Sequence, residues 1–110
     1  MLKRIVSFGF KHNVTPPRGA VVVDVRQMFR NPYTHAELRD RTGRDPEVQK
    51  MVLSTPNFDA KYRHVRDLVT SPGTEEAWIG CQGGRHRSVF LAERLGAELG
   101  VPVEHWNLPL

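Results

Sequence analysis

The chain has 110 residues, enough for one compact domain and too few for two ordinary ones. Hydrophobic residues make up 39% and charged residues 25%, a balance that builds a core and excludes a disordered chain. The formal charge of +4, supplied mostly by arginine, suits an anionic partner and leaves nucleic acid and phosphorylated metabolite both open.

Ile5-Val6-Ser7-Phe8-Gly9-Phe10 reads as a short strand running into a loop, Lys11 to Gly19, that holds Pro16-Pro17. Ala20-Val21-Val22-Val23-Asp24-Val25 is a β-branched run that predicts a strand buried on both faces of a parallel sheet. Asp24 and Arg26 then fall at its C-terminal end, where open α/β sheets bind ligands. Gln27 to Gly43 is irregular, with turns at Asn31-Pro32 and Thr42-Gly43, and long ordered connections are often functional. Asp45-Pro46-Glu47 predicts an N-cap, a first-turn proline and an acidic first turn, opening a helix that buries Val48, Met51 and Val52. Asn57 is expected to cap a second helix with Phe58, Tyr62, Val65, Leu68 and Val69 on one face, ended by Ser71-Pro72-Gly73.

Glu76 to Gly80 predicts a third strand, and Ser88 to Leu99 a third helix with Val89, Ala92, Leu95, Gly96 and Leu99 on one face. Gly100 suits the C′ position before a terminal strand over Val101 to Trp106. Strands alternating with helical crossovers predict a small single-domain α/β layered sandwich with a largely parallel sheet. Cys81 is the only cysteine, which excludes an intrachain disulfide and a cysteine-built zinc site and predicts a cytoplasmic setting. The first residues read as no signal peptide, and no stretch reaches transmembrane length, so a soluble protein without a membrane partner is expected. Neither a metal nor a cofactor is expected.

The chemistry concentrates between the third strand and third helix, in Cys81-Gln82-Gly83-Gly84-Arg85-His86-Arg87-Ser88. A glycine-rich loop opening a helix presents unpaired backbone N–H groups to an anion, and the arginines add fixed charge. Cys81 and Arg87 have the C-x5-R-S spacing of the phosphate loop in cysteine-dependent phosphatases, where a thiolate attacks and arginine clamps two oxygens. A phosphatase would use Cys81 as nucleophile and need a general acid, for which Asp24, Asp40, Asp45 and Asp59 are candidates. Position 80 is glycine, where such loops usually carry histidine. A cysteine at a strand end also serves simply as a small buried hydrophobe.

Five short segments in order carry a wider resemblance: Ser7-Phe8-Gly9-Phe10-Lys11; Asp24-Val25-Arg26; Asn31-Pro32; Leu38-Arg39 with Thr42-Gly43; and Ile79-Gly80-Cys81 through Ser88. Over about residues 5 to 99 the chain resembles the C-terminal domain of the RapZ (YvcJ-type) RNase adaptor and nucleotide-binding proteins. The resemblance implies a domain that binds a phosphorylated amino sugar, glucosamine-6-phosphate, and in enterobacteria also small RNAs and an RNase. It implies that Gly83, Gly84, His86, Arg87 and Ser88 surround the phosphate, with Asp24, Arg26 and Asn31 from the neighbouring strand end and Lys11 reaching the same cavity.

Family members often have histidine after Asn-Pro and threonine after Gly-Cys, where this chain has Tyr33 and Gln82, both at expected sugar contacts. The Walker motif of the family's kinase-like domain is absent, so nucleotide hydrolysis is not expected, and no basic tail follows His105-Trp106. For RNA there remain Lys61, Arg63, His64 and Arg66, with Arg39, Arg41 and Arg44. The expected function is a non-catalytic sensor of a phosphorylated metabolite, acting as an adaptor toward RNA or protein; a phosphatase is the alternative. Exposed strand edges and the resemblance also suggest self-association.

Overall fold

The computed structural model describes residues 1–108, in which four parallel strands form one sheet. The strands are β1 (Arg4–Gly9), β2 (Val21–Asp24), β3 (Glu76–Cys81) and β4 (Val103–His105), and the helices are α1 (Pro46–Leu53), α2 (Phe58–Val69) and α3 (Arg87–Leu99). The sheet order is β2-β3-β1-β4. Strand β1 lies in register with β3 from Arg4 opposite Glu76 to Gly9 opposite Cys81.

That order decides which face each connection covers. The chain steps one way across the sheet from β1 to β2 and the other way from β2 to β3 and from β3 to β4. Right-handed crossovers then send the first connection over one face and the later two over the other. Accordingly α1, α2 and α3 pack Val52, Phe58, Val65, Val69, Phe90, Leu91 and Leu95 against Ile5, Val23, Ala77 and Ile79. On the opposite face Phe10, Val14 and Ala20 cover Val6, Phe8 and Trp78. Strand residues alternate between the two layers, as the period of two demands.

Several local expectations hold. Asp45 caps α1 by accepting from the Glu47 amide at 2.9 Å, with Pro46 in the first turn. Gly100 ends α3 in the left-handed conformation. Others are corrected. Strand β2 is shorter than Ala20–Val25 and lies at the sheet edge, so Val22 is 46% exposed rather than buried on both faces. Asn57 precedes α2 but is itself left-handed and makes no side-chain cap, because the chain enters through a Phe58 N to Thr55 O turn. Met51 is only half-buried, and Leu68 points outward, 37% exposed. The stripe on α2 narrows to Phe58, Val65 and Val69, with Tyr62 partly covered. The terminal strand covers three residues rather than six. Among the described residues no helix is long and apolar enough to cross a membrane.

Candidate functional site

Strands β1 and β3 are neighbours whose onward connections leave to opposite faces, so a crevice opens at their C-terminal ends. The segment Gln82–His86 lies over this crevice before α3 begins. It is seated by backbone-to-backbone packing on the end of β1. Gly84 has φ +73°, and a Cβ there would come within 2.5 Å of the Gly9 nitrogen. A Cβ on Gly9 would in turn meet the Gly84 nitrogen at 2.6 Å. Two glycines facing each other are thus a steric requirement. Further ties come from Lys11 N to Gln82 O at 3.1 Å, Gly43 N to Arg85 O at 2.8 Å and His12 Nε2 to Gly83 O at 3.2 Å. The Asn107 side chain accepts from Gly9 N at 2.7 Å.

Two clefts adjoin here. The larger, of about 730 Å³, takes its charge from Lys11, Arg39, Arg85 and Arg87 against a single carboxylate among the described residues, Asp40. The smaller, of about 360 Å³, holds Asp24, Arg26, Gln27 and Phe29. Asn31, Gln82 and Arg87 line both. Arg26 is committed to Asp24, donating Nε at 3.0 Å and Nη2 at 2.7 Å, and lies 4.0 Å over the Phe10 ring. That guanidinium holds Asp24 below the usual carboxylate range despite partial burial.

Arg87 is the unusual member. It is 4% exposed; one Nη donates to the Arg26 carbonyl at 2.8 Å, and its Nε has no partner among the described residues. Burial lowers its pKa, with Cys81 and Asp24 opposing. A guanidinium keeps its charge even so. A buried cation with an unused donor is costly, and an oxyanion in the cleft would relieve that cost.

His86 is also buried, and burial depresses its pKa below 6.5, while the backbone of Arg41, Leu38 and Arg39 acts in the opposite direction. Folding therefore favours the neutral ring. Its contribution is complete above about pH 6.5 and declines as the pH falls below that value, where the unfolded chain takes the proton first. Urea unfolding at pH 8, 7, 6 and 5 should show a steeper loss between pH 7 and 5 for the parent than for His86→Gln. Equal slopes would mean that His86 keeps an ordinary pKa.

The structure gathers Lys11, Asn31, Tyr33, Cys81, Gln82, Gly83, Arg85, His86 and Arg87 on the larger cleft, and Asp24 and Arg26 on the smaller. Gly84 and Ser88 line neither; Gly84 packs on β1, and Ser88 is buried with Oγ 3.1 Å from Cys81 Sγ. The sequence did not point to His12, Ala36 or Asn107 as site residues, and placed Arg39 only in a segment of the resemblance and in a basic surface. Asp40 lay among the candidate acids, whereas Asn107 arrives from 98 residues away with no motif to mark it. No three His, Cys, Asp or Glu side chains among the described residues group as a metal site needs.

The phosphatase alternative finds no support. Cys81 is 2% exposed and spends its sulfur on Gly84 N at 3.3 Å and on Ser88. Of the four candidate acids, Asp45 caps α1, Asp59 stands in the first turn of α2, and Asp24 is held ionised. Only Asp40 lines the cleft with Cys81, and it lies 3.7 Å from Arg85.

A family model described as the RapZ C-terminal domain matches residues 1–108. A protein of Synechococcus sp. (strain JA-2-3B'a(2-13)) named as a nucleotide-binding protein is 38% identical over 116 residues, covering 96% of this chain and 33% of that protein. Proteins of the same name from Limosilactobacillus reuteri (strain DSM 20016) and Deinococcus radiodurans are 39% and 41% identical, over 86% and 87% of this chain. This chain covers 35% and 36% of those two proteins. It thus spans about a third of the length of the curated relatives it matches. Matched from its first strand through its last, the chain belongs to the RapZ C-terminal domain family.

Proposed function

We propose that the larger cleft binds a phosphorylated small metabolite, an amino-sugar phosphate such as glucosamine-6-phosphate, and that the domain senses this ligand without transforming it. The observation that carries the reading is Arg87, a buried guanidinium lining both clefts whose Nε has no partner among the described residues. An oxyanion there would use that donor and gain a charge-assisted bond. Lys11 and Arg85 add positive charge to the same cleft, and Asp40 offers a carboxylate to an ammonium group. Tyr33, 57% exposed, also lines the cleft, with the Arg39 guanidinium 4.9 Å over its ring. The relatives' name refers to proteins about three times as long, and no nucleotide is assigned to this domain from it.

An adaptor role would pass the ligand state to a protein or an RNA. The RNA version has few cations left to use. Arg41 pairs with Asp45, Arg44 with Glu93 and Arg66 with Glu98, which among the described residues leaves Lys61, Arg63 and His64 on α2, and Arg39 in the cleft, outside ion pairs. Saturable RNA binding with a steep salt dependence would establish it.

Calorimetry with glucosamine-6-phosphate, inorganic phosphate and glucosamine tests the sensor. Saturable binding of the sugar phosphate, weaker binding of phosphate and none of glucosamine is expected. Binding of glucosamine alone, or no binding of the sugar phosphate, would overturn it.

A further inference from the structure

The C-terminal segment is stitched to the end of β1 at three successive residues. His105 Nδ1 lies 2.6 Å from Ser7 Oγ, Trp106 N donates to Ser7 O at 3.0 Å, and Asn107 Oδ1 accepts from Gly9 N at 2.7 Å. Trp106 packs edge-on against Trp78, with ring centroids 4.7 Å apart. Asn107 is therefore held in one place although it lies beyond the last strand, and it lines the larger cleft with Lys11, Gln82 and Gly83. Gly9 N takes the oxygen of its carboxamide, which leaves the amide Nδ2 as its remaining polar group, without a partner among the described residues. An amide fixed through its oxygen is a donor to whatever enters.

The spacing of its anchor from that of Arg87 suggests what it would meet. Arg87 is anchored on the Arg26 carbonyl, just past the end of β2, whereas Asn107 caps the end of β1. Strand β3 lies between β1 and β2, so the two anchor points are two strand spacings apart, about 10 Å. A hexose phosphate has a span comparable to the separation of these anchors. We infer that Asn107 is a ligand-binding residue that donates through Nδ2 to a hydroxyl oxygen at the sugar end of the metabolite, opposite the phosphate held by Arg87. The inference rests on the reading of the cleft as a sugar-phosphate site.

The substitution Asn107→Asp separates the two uses of this side chain. It keeps an acceptor for Gly9 N and replaces the donor facing the ligand with an oxygen. Asn107→Leu removes both. Each variant should bind glucosamine-6-phosphate at least tenfold more weakly than the parent. Inorganic phosphate, held at Arg87, should change by less than twofold. Unchanged or tighter sugar-phosphate binding by Asn107→Asp overturns the inference, as does an equal loss for both ligands. A parent that binds neither ligand overturns the sugar-phosphate reading itself, and the inference with it. Should the variants not fold, the parent's own Asn107 amide resonances decide: they should shift with the sugar phosphate and stay fixed with inorganic phosphate. The reverse pattern, or no shift with the sugar phosphate, would overturn the assignment.

Discussion

Arg87→Ala is expected to weaken sugar-phosphate binding by about 10- to 150-fold, the equivalent of losing a hydrogen-bonded charge contact of about 1.5–3 kcal/mol. The loss should appear equally with inorganic phosphate, because the guanidinium addresses the anion rather than the sugar. Arg87 also donates to the Arg26 carbonyl, so truncation leaves that acceptor without its donor and opens a gap under the loop. Arg87→Lys is the companion variant. It retains the charge but cannot supply a bond to Arg26 O and a second donor from one rigid plane. An intermediate affinity for Arg87→Lys, measured by calorimetry, would place both the charge and the fork at work. Affinity equal to the parent in Arg87→Ala would move the anion site elsewhere.

Gly84→Ala should be the most damaging single-methyl change in the site. The left-handed backbone alone costs about 1 kcal/mol with alanine. The added carbon would also stand 2.5 Å from the Gly9 nitrogen and 2.8 Å from the Phe8 carbonyl carbon, both backbone atoms that cannot turn aside. A loss of about 3 kcal/mol or more in urea unfolding is expected. Two neighbours provide the scale. Gly100→Ala has a similar φ of +67° and nothing within 4 Å, so it isolates the backbone strain. Gly83→Ala would meet only the Lys11 side chain, at 3.8 Å, and should change stability by less than about 1 kcal/mol. If Gly84→Ala costs no more than Gly100→Ala, the close seating of the loop on β1 is not what holds it.

The loop and its two flanking elements were legible because each signal is local. A β-branched or apolar strand run, paired glycines, basic residues and a helical stripe all fall within Glu76 to Leu99. The start of α1 was legible for the same reason, since Asp45, Pro46 and Glu47 act within one turn. Strand order is not local. Val21-Val22-Val23 carries the composition of a central strand, and only its neighbour on one side alone leaves Val22 open to solvent. Asn57 shows the limit of residue preference, because asparagine suits both an N-cap and a left-handed turn, and the turn at Thr55 chooses the second.

Within the site, the residue types were legible but their roles were less so. Ser88 looks like a phosphate donor beside Arg87, yet helix geometry turns its hydroxyl inward to the Cys81 sulfur. The burial of Arg87 has no signature in sequence, because charged residues at a helix start are usually solvated. Asn107 was invisible for a different reason: its importance comes from a contact with Gly9 that only the parallel pairing of β1 with β4 creates.

The most direct test of the sugar-phosphate site is an amide NMR titration of the parent chain with glucosamine-6-phosphate. Saturable shifts concentrated at Gln82 to Ser88, with Asn31 and Lys11 following the same curve, are expected. Saturable shifts confined to the α2 face around Lys61 to Arg66, or none in the loop at millimolar ligand, would contradict a ligand site at the ends of β1 and β3.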